Sequence, residues 1–200
     1  MSKTGFFVEI CSVFAIGCSL GWILEVFFRR FFSGNNQERR WINPGYLSGP
    51  WLPVYGFGLC ALYLLAGLGD YIPIGGAGGT LVLIIVMTLS VTAVELVAGL
   101  FSVKFLHADL WDYSREWGNF RGLICPRFAF FWGLICALYL LFVHKYLILG
   151  VGWLRSHALF SVFVGIYIGM LIADASGFDF GTNHAEKRFL FGEATEQLTK

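Results

Sequence analysis

Residues 80–103 read TLVLIIVMTLSVTAVELVAGLFSV, an apolar run in which Glu95 is the one ionisable side chain. A helix needs about 20 apolar residues to cross the hydrocarbon core of a bilayer. This run is long enough, and it predicts a membrane-spanning helix. Because an ionisable group inside such a helix is energetically costly, Glu95 is also a first candidate for a functional residue.

The composition of the whole chain places it in the same class. Of its 200 residues, 57% are hydrophobic and 14% are charged, and the mean hydropathy is +0.70. In soluble domains, roughly a quarter of all residues are charged. The net charge is only +1, and the basic residues do not cluster on one polar element, so no nucleic-acid partner is expected. We therefore predict an all-α, polytopic transmembrane bundle that contacts the lipid bilayer.

Four further apolar segments accompany the first. They cover residues 6–28, 51–68, 123–143 and 158–174, so that residues 1–175 are predicted to form one membrane domain of five spans. Residues 144–156, HKYLILGVGWLRS, are predicted to be an interfacial turn with Tyr146 and Trp153 at headgroup level. Residues 176–200 are predicted to be a polar cytoplasmic tail that is helical in part.

The hexapeptide CALYLL occurs twice, at residues 60–65 and 136–141. Since the first and third spans run in the same direction, a repeat of two-span hairpins would be parallel, as in some transporters. Chance recurrence in apolar helices is the alternative. Two parallel two-helix repeats plus one helix are thus one arrangement that the five spans could take.

Basic residues fall mainly on one side of the predicted membrane. The opposite side holds only Lys3, Lys145 and Arg155 of the 14 Lys and Arg residues. Basic loops stay in the cytoplasm, so we predict the N-terminus outside the cytoplasmic membrane and the C-terminus inside. The basic side carries Arg29, Arg30, Arg39, Arg40, Lys104, Arg115, Arg121, Arg127, Lys187, Arg188 and Lys200.

The loop of residues 107–127, HADLWDYSREWGNFRGLICPR, mixes acidic, basic and aromatic side chains. We expect Asp112 to be held by backbone donors at the turn and by Arg121 or Arg127, because a planar guanidinium can bind a carboxylate through two hydrogen bonds. No GxxxxGK[ST] motif occurs in the chain, which therefore has no ATP-hydrolysing site of that type. One histidine and two aspartates, His107, Asp109 and Asp112, lack the fixed spacing that metal ligands have on a helix. Neither a metal nor another cofactor is therefore predicted.

The first loop runs into the second span through residues 43–58, NPGYLSGPWLPVYGFG. Its prolines and glycines favour irregular backbone. At membrane depth such backbone survives only when it is buried in protein or lines a watery cavity. Either the start of the second span is re-entrant, with Tyr46, Ser48 and Tyr55 as its polar groups, or an ordinary loop leads into a proline-initiated helix.

Acidic residues in the other spans have simpler interpretations. Glu25 precedes Arg29 by four residues, which is salt-bridge spacing on a helix, while Glu9 and Asp174 lie near membrane edges and are expected to be solvated. Glu95 is either a proton or cation ligand or a structural partner for an Arg or a second helix. We expect it to face the bundle interior. The predicted polar pocket contains Glu95, Glu25, Asp112, Tyr113, Asn119, Arg121, Arg127, Tyr46 and Tyr55.

Several of these segments together resemble one known family, the CmpB-like, type IV ABC-transporter proteins. The resemblance covers residues 21–143 and implies a multi-span bacterial inner-membrane protein that acts as a transporter permease. The family pattern has an Arg after a glycine where this chain has Leu123. The segments are GWILE at residues 21–25, the block at 45–58, Glu95, WDYS at 111–114, NFRGLIC at 119–125 and FFWG at 130–133.

The favoured function is therefore a permease-like subunit that lacks its own ATPase and works with a separate one. Five spans alone would form a thin transport path, so homo-oligomerisation is expected. A membrane-embedded enzyme or lipid-binding protein that uses Asp112, Tyr113 and Glu95 is the first alternative. A structural or regulatory membrane subunit is the second.

Overall fold

The structure is a computed structural model that describes residues 3–33, 36–69 and 76–177. Four of its helices are long and apolar enough to cross a membrane, and a shorter apolar helix of 17 residues lies between the first two. The chain is thus an all-helical, multi-pass membrane protein. In chain order the helices are α1 (Lys3–Phe31), α2 (Pro53–Gly69), α3 (Gly76–Leu106), α4 (Pro126–Ser156) and α5 (Ala158–Ala175).

The outer surface of the bundle is apolar. Leu89, Val97 and Leu159 are each about two-thirds exposed, as expected for side chains that meet lipid tails rather than water. The central core is formed between α2, α3 and α4. It comprises Leu62, Ala66, Met87, Val91, Cys136 and Tyr139, so that both CALYLL segments contribute to the same core. The repeat of two-helix hairpins itself stays a prediction.

The prediction of an interfacial turn at residues 144–156 is wrong. α4 passes through a π-helical segment at Tyr139–Val143 and continues to Ser156, which makes a helix of 31 residues and about 46 Å in length. The break comes instead at His157, whose backbone is extended. The fourth helix also begins later than residue 123, because Pro126 occupies its first turn and Cys125 is its N-cap.

Contacts between helix ends show that consecutive helices run in opposite directions. Glu9, near the start of α1, accepts hydrogen bonds from Tyr63 late in α2 and from Arg155 at the end of α4. Ser19 donates to the hydroxyl of Tyr167 in α5. One end of the bundle therefore gathers the loops 36–52 and 107–125 and the end of α5.

The tightest helix pair is α1 with α2, and glycines make it possible. A Cβ atom added to Gly21 would lie 2.2 Å from Cγ of Tyr55, and one added to Gly17 would lie 2.8 Å from the carbonyl oxygen of Tyr55. Residues this small, spaced four apart, let helix backbones approach closely in membranes, where van der Waals packing drives association.

The first loop enters the bundle before α2 begins. The backbone N–H of Leu52 donates to the carbonyl oxygen of Cys18 at 3.1 Å. Cys18 lies 13 residues before the end of α1 at Phe31, which is about 20 Å along the helix axis. The loop before α2 is therefore re-entrant, and it leads into a helix that begins at a proline, Pro53, so the structure combines the two interpretations of residues 43–58. α2 is short because it starts inside the bundle.

Asp174 satisfies the backbone of this buried loop. Its carboxylate accepts hydrogen bonds from the N–H groups of Ser48 and Gly49 at 3.1 and 2.9 Å and from Nε1 of Trp51 at 2.9 Å. Asp174 is 3% exposed, so the expectation that it is solvated is wrong. The same expectation is wrong for Glu9, whose side chain is 12% exposed and pairs with Arg155.

The C-terminal segment of the chain lies outside the described residues. It includes the predicted tail with Lys187, Arg188 and Lys200. The prediction of partial helix there and the assignment of the basic side to the cytoplasm both stay predictions.

Candidate functional site

Glu95 lies inside α3 and points into the bundle, where it is 5% exposed. One carboxylate oxygen accepts a hydrogen bond from the hydroxyl of Tyr113 at 3.0 Å, and the other accepts one from Nε1 of Trp132 at 3.0 Å. The inward orientation and the polar partner from the 107–125 loop agree with the sequence-based expectation. Each oxygen is thus held by a neutral donor from a different part of the chain.

Glu25 forms a second carboxylate site next to this one. It accepts hydrogen bonds from the hydroxyl of Tyr55 at 3.0 Å and from Nε of Arg29 at 3.1 Å, which confirms the predicted pair at four-residue spacing. The ring of Tyr55 lies edge-on to Trp132, with 6.0 Å between ring centroids. We call the whole group the carboxylate cluster: Glu25, Arg29, Tyr55, Glu95, Tyr113 and Trp132.

The carboxylate cluster has more acidic side chains than basic ones. Two carboxylates face one guanidinium, and Glu95 has only neutral donors. Burial, followed by the nearby charge of Glu95, raises the pKa of Tyr113, so its phenol stays protonated and donates. Within the described residues, the buried Oγ1 of Thr92, one turn from Glu95, has no hydrogen-bond partner. A buried carboxylate that has only neutral donors suits a proton or a cation.

The 107–125 loop fixes Tyr113 through its own packing. The N–H of Tyr113 donates to the carbonyl of Gly122 at 2.8 Å, and its ring stacks on Phe128 at 4.3 Å between centroids. Nε1 of Trp111 donates to the carbonyl of Leu123 at 2.9 Å. Leu123 is 6% exposed, so the position at which the family pattern has an Arg belongs to the apolar core here.

Asn119 organises the turn that returns this loop to α4. Its amide donates to the carbonyls of Ser114 and Glu116, and its oxygen accepts from the N–H of Gly122 at 3.0 Å. Arg121 and Gly122 both have positive φ, 54° and 69°, the combination of a tight reversal. Asn119 is therefore a positioning residue and not part of the carboxylate cluster.

The prediction that backbone donors at the turn hold Asp112 is confirmed, but the prediction that Arg121 or Arg127 also holds it is wrong. Its two oxygens accept hydrogen bonds from the N–H and the hydroxyl of Ser114 at 2.8 and 2.9 Å. A short aspartate side chain reaches backbone two residues ahead more readily than a distant side chain. Arg127 pairs instead with Glu116 at 2.9 Å.

A cleft of about 610 Å³ lies beside the loop, away from Glu95. Asp109, Asp112, Arg115 and Arg121 line it together with apolar residues from the end of α3, so it presents both signs of charge. Tyr46, which was predicted to belong to the pocket, is 42% exposed and is not part of the carboxylate cluster.

Sequence reasoning missed Trp132. A usable signal was present, because the indole N–H of a buried tryptophan needs an acceptor. Trp132 lies in an apolar span, and Glu95 is the strongest acceptor within the neighbouring one. Trp132 could therefore have been predicted as a hydrogen-bond donor to Glu95.

Residues 12–177, which run from the first half of α1 to just past the end of α5, match the model of one protein family. The chain belongs to the family described as "Putative ABC-transporter type IV". No curated protein and no solved structure matches it. In this family member the matched region contains the complete carboxylate cluster, the re-entrant loop and Asp174.

Proposed function

We propose that the chain is a permease-like subunit of an ABC-type transporter in a bacterial inner membrane, with the carboxylate cluster as its polar transport site. The observation that carries the proposal is Glu95, a buried carboxylate in a membrane helix. Insertion of such a group costs about 2.5–3.5 kcal/mol at the helix centre, and residues kept at that cost mark ion or substrate pathways.

The connections of the carboxylate cluster suit a transport role. Glu95 on α3 is bonded to α4 through Trp132 and to the 107–125 loop through Tyr113. Glu25 joins α1 to α2 through Tyr55. A movement of one helix within either pair, for example of α4 against α3, would therefore change the hydrogen bonds of the carboxylate in that pair. Such a change would couple helix movement to the affinity for a proton or cation.

ATP hydrolysis would come from a separate subunit. The chain has no GxxxxGK[ST] motif. In the proposed orientation, with the N-terminus outside, the loops 36–52 and 107–125 lie in the cytoplasm and are available to an ATPase. Five helices make a thin path, so we also propose that the permease works as a homo-oligomer.

The test is purification of the full chain from its native membrane in mild detergent. We expect a protein with a GxxxxGK[ST] motif to co-purify in fixed ratio and to hydrolyse ATP. Glu95→Gln keeps the shape of the side chain but places an NH₂ group, itself a hydrogen-bond donor, opposite one of the two donors that Glu95 accepts from. The Glu95→Gln variant should still bind the ATPase. Its rate of ATP hydrolysis in vesicles should differ from the wild-type rate by about tenfold, which corresponds to the loss of roughly 1.4 kcal/mol of interaction free energy.

Asp109→Asn is the matched control, because Asp109 is an exposed acid on the same side of the bundle. Its ATP hydrolysis should stay within about twofold of the wild-type rate. A chain that purifies without any ATPase after cross-linking in intact membranes would contradict the permease. Equal rates in Glu95→Gln and the control would remove Glu95 from the transport site.

The cleft beside the loop favours a second candidate, a lipid-binding protein or membrane-embedded enzyme that uses Asp112. Tyr113 and Glu95, the other two residues predicted for this candidate, do not line the cleft. Its mixed charges fit a zwitterionic headgroup. A lipid that co-purifies with the wild type and is lost in Arg121→Gln, in the absence of an ATPase, would favour this candidate over the permease.

A further inference from the structure

Arg30, at the end of α1, and Arg39, in the loop that follows, each contact the other's backbone. Nη1 of Arg30 donates to the carbonyl of Arg39, and Nη1 of Arg39 donates to the carbonyl of Arg30 at 3.1 Å. Each guanidinium therefore lies beside the backbone of the other residue. Two like charges do not approach in this way without a structural cause.

The cause is a turn built around Asn36, which is 7% exposed. Its amide donates to the carbonyls of Arg29 and Arg40 at 3.2 and 2.8 Å, and its oxygen accepts from the N–H of Arg40 at 3.1 Å. Arg39 has a φ of 53°, in the left-handed region that is strained for a side chain of this size. Strain of this kind is common where a ligand is bound.

The two arginines differ from their neighbours in lacking an acidic partner. Arg29 pairs with Glu25, and Arg40 pairs with Glu38 at 2.5 Å. Within the described residues, no carboxylate pairs with Arg30 or Arg39. Nε of Arg30 is moreover buried without a hydrogen-bond partner there. Beyond these contacts each guanidinium has further N–H donors, which fit an anion that has several acceptor oxygens, and phosphate is such an anion.

An aromatic surface adjoins the pair. The guanidinium of Arg30 lies 4.3 Å from the centroid of the Trp41 ring. Trp41 packs edge-on against Phe27 and Phe31, with centroid distances of 5.6 and 6.2 Å, and all three rings are at least half exposed. Such rings at the end of a membrane helix lie at headgroup level. A free phosphate would make no use of them, but a lipid would.

We propose that Arg30 and Arg39 bind the phosphate of an anionic phospholipid whose glycerol and upper acyl chains lie on Trp41 and Phe31. The site is separate from the carboxylate cluster and does not depend on the transport function. Basic residues just beyond a membrane helix attract anionic lipids in general. Here the geometry assigns the contact to two particular residues out of four neighbouring arginines.

The test is a titration of the full chain, in neutral detergent micelles, with phosphatidylglycerol. Arg30→Gln and Arg39→Gln should each raise the apparent Kd by about fivefold, as expected for one basic contact near the membrane surface. Arg40→Gln is the matched control, because the Arg40 side chain is 74% exposed and paired with Glu38. Its Kd should change by less than about twofold.

Two further measurements distinguish the source of the phosphate and the state of the variants. Phosphatidylcholine should bind more weakly than phosphatidylglycerol, and excess inorganic phosphate should not displace the lipid. Thermal unfolding of each variant without lipid shows whether it is folded. Because the Arg39 side chain is exposed, Arg39→Gln should leave the helix intact. The proposal would be overturned if Arg40→Gln raised the Kd for phosphatidylglycerol as much as Arg30→Gln and Arg39→Gln do. Equal Kd values for the two lipids, or displacement of the lipid by inorganic phosphate, would overturn it as well.

Discussion

Asp174 is the residue on which the first loop depends. It accepts three hydrogen bonds from that loop while being almost fully buried. Asp174→Asn would oppose an NH₂ group to at least one of these donors. Hydrogen bonds to charged groups contribute about 1.5–3 kcal/mol, so the free energy of unfolding should fall by roughly 2 kcal/mol or more.

The measurement is the midpoint of thermal unfolding in detergent, with Asp109→Asn as the exposed control. The control should unfold close to the wild-type midpoint, and Asp174→Asn well below it. Coincident midpoints of the two variants would show that the loop is held by other contacts.

At this scale, sequence reasoning succeeded where a single rule decides. Glu95 faces inward because a carboxylate in a membrane helix avoids lipid, and Glu25 pairs with Arg29 because of their spacing on one helix. It failed for Asp112 and Asp174. For Asp112 only the predicted arginine partner is wrong, because the Ser114 donors two residues away outcompeted the arginines, and the partners of Asp174 lie more than 120 residues away in the sequence.

Among the helices, the pair α1 and α2 offers the sharpest test. A Cβ at Gly21 would meet the ring of Tyr55 at 2.2 Å, so the ring must move and its bond to Glu25 must weaken. Overpacking of this kind costs about 1–3 kcal/mol. Gly21→Ala should therefore lower the melting temperature and the folded yield in detergent.

Gly67→Ala in α2 is the matched control for this substitution. A Cβ there would meet nothing within 4 Å, and alanine favours a helix over glycine by up to about 1 kcal/mol. Gly67→Ala should therefore melt at or above the wild-type temperature. If Gly21→Ala behaved like Gly67→Ala, the close approach of α1 and α2 would be refuted.

The helices themselves were largely predictable, because apolar length determines where a chain can cross a membrane. The helix expected at 51–68 is Pro53–Gly69, which at 17 residues is shorter than the four candidate spans, and the helix expected at 80–103 is Gly76–Leu106. The extension of α4 was missed because Lys145 and two glycines lower the hydropathy of residues 144–156. Its contact with Glu9 through Arg155 is long-range and leaves no local pattern.

For the whole molecule, alternating helix directions and the basic loops together lead to a topology prediction. Reporter insertions after Gly34 and Lys200 should be active in the cytoplasm, and one after Gly75 should be active outside. The basis is that basic loops are retained in the cytoplasm. Paired cytoplasmic and external reporters at each position provide the measurement. A cytoplasmic signal at Gly75 would mean that α2 does not cross the membrane.

Asp174 also has a consequence for how the chain is made. Ser48 and Asp174 are 126 residues apart, and a ribosome adding about 5–20 residues per second needs roughly 6–25 s to cover that distance. Until then, the N–H groups of Ser48 and Gly49 lack their final acceptor. Insertion of α5 therefore completes the first loop, and a nascent chain stalled before α5 exposes an unfinished loop to membrane proteases.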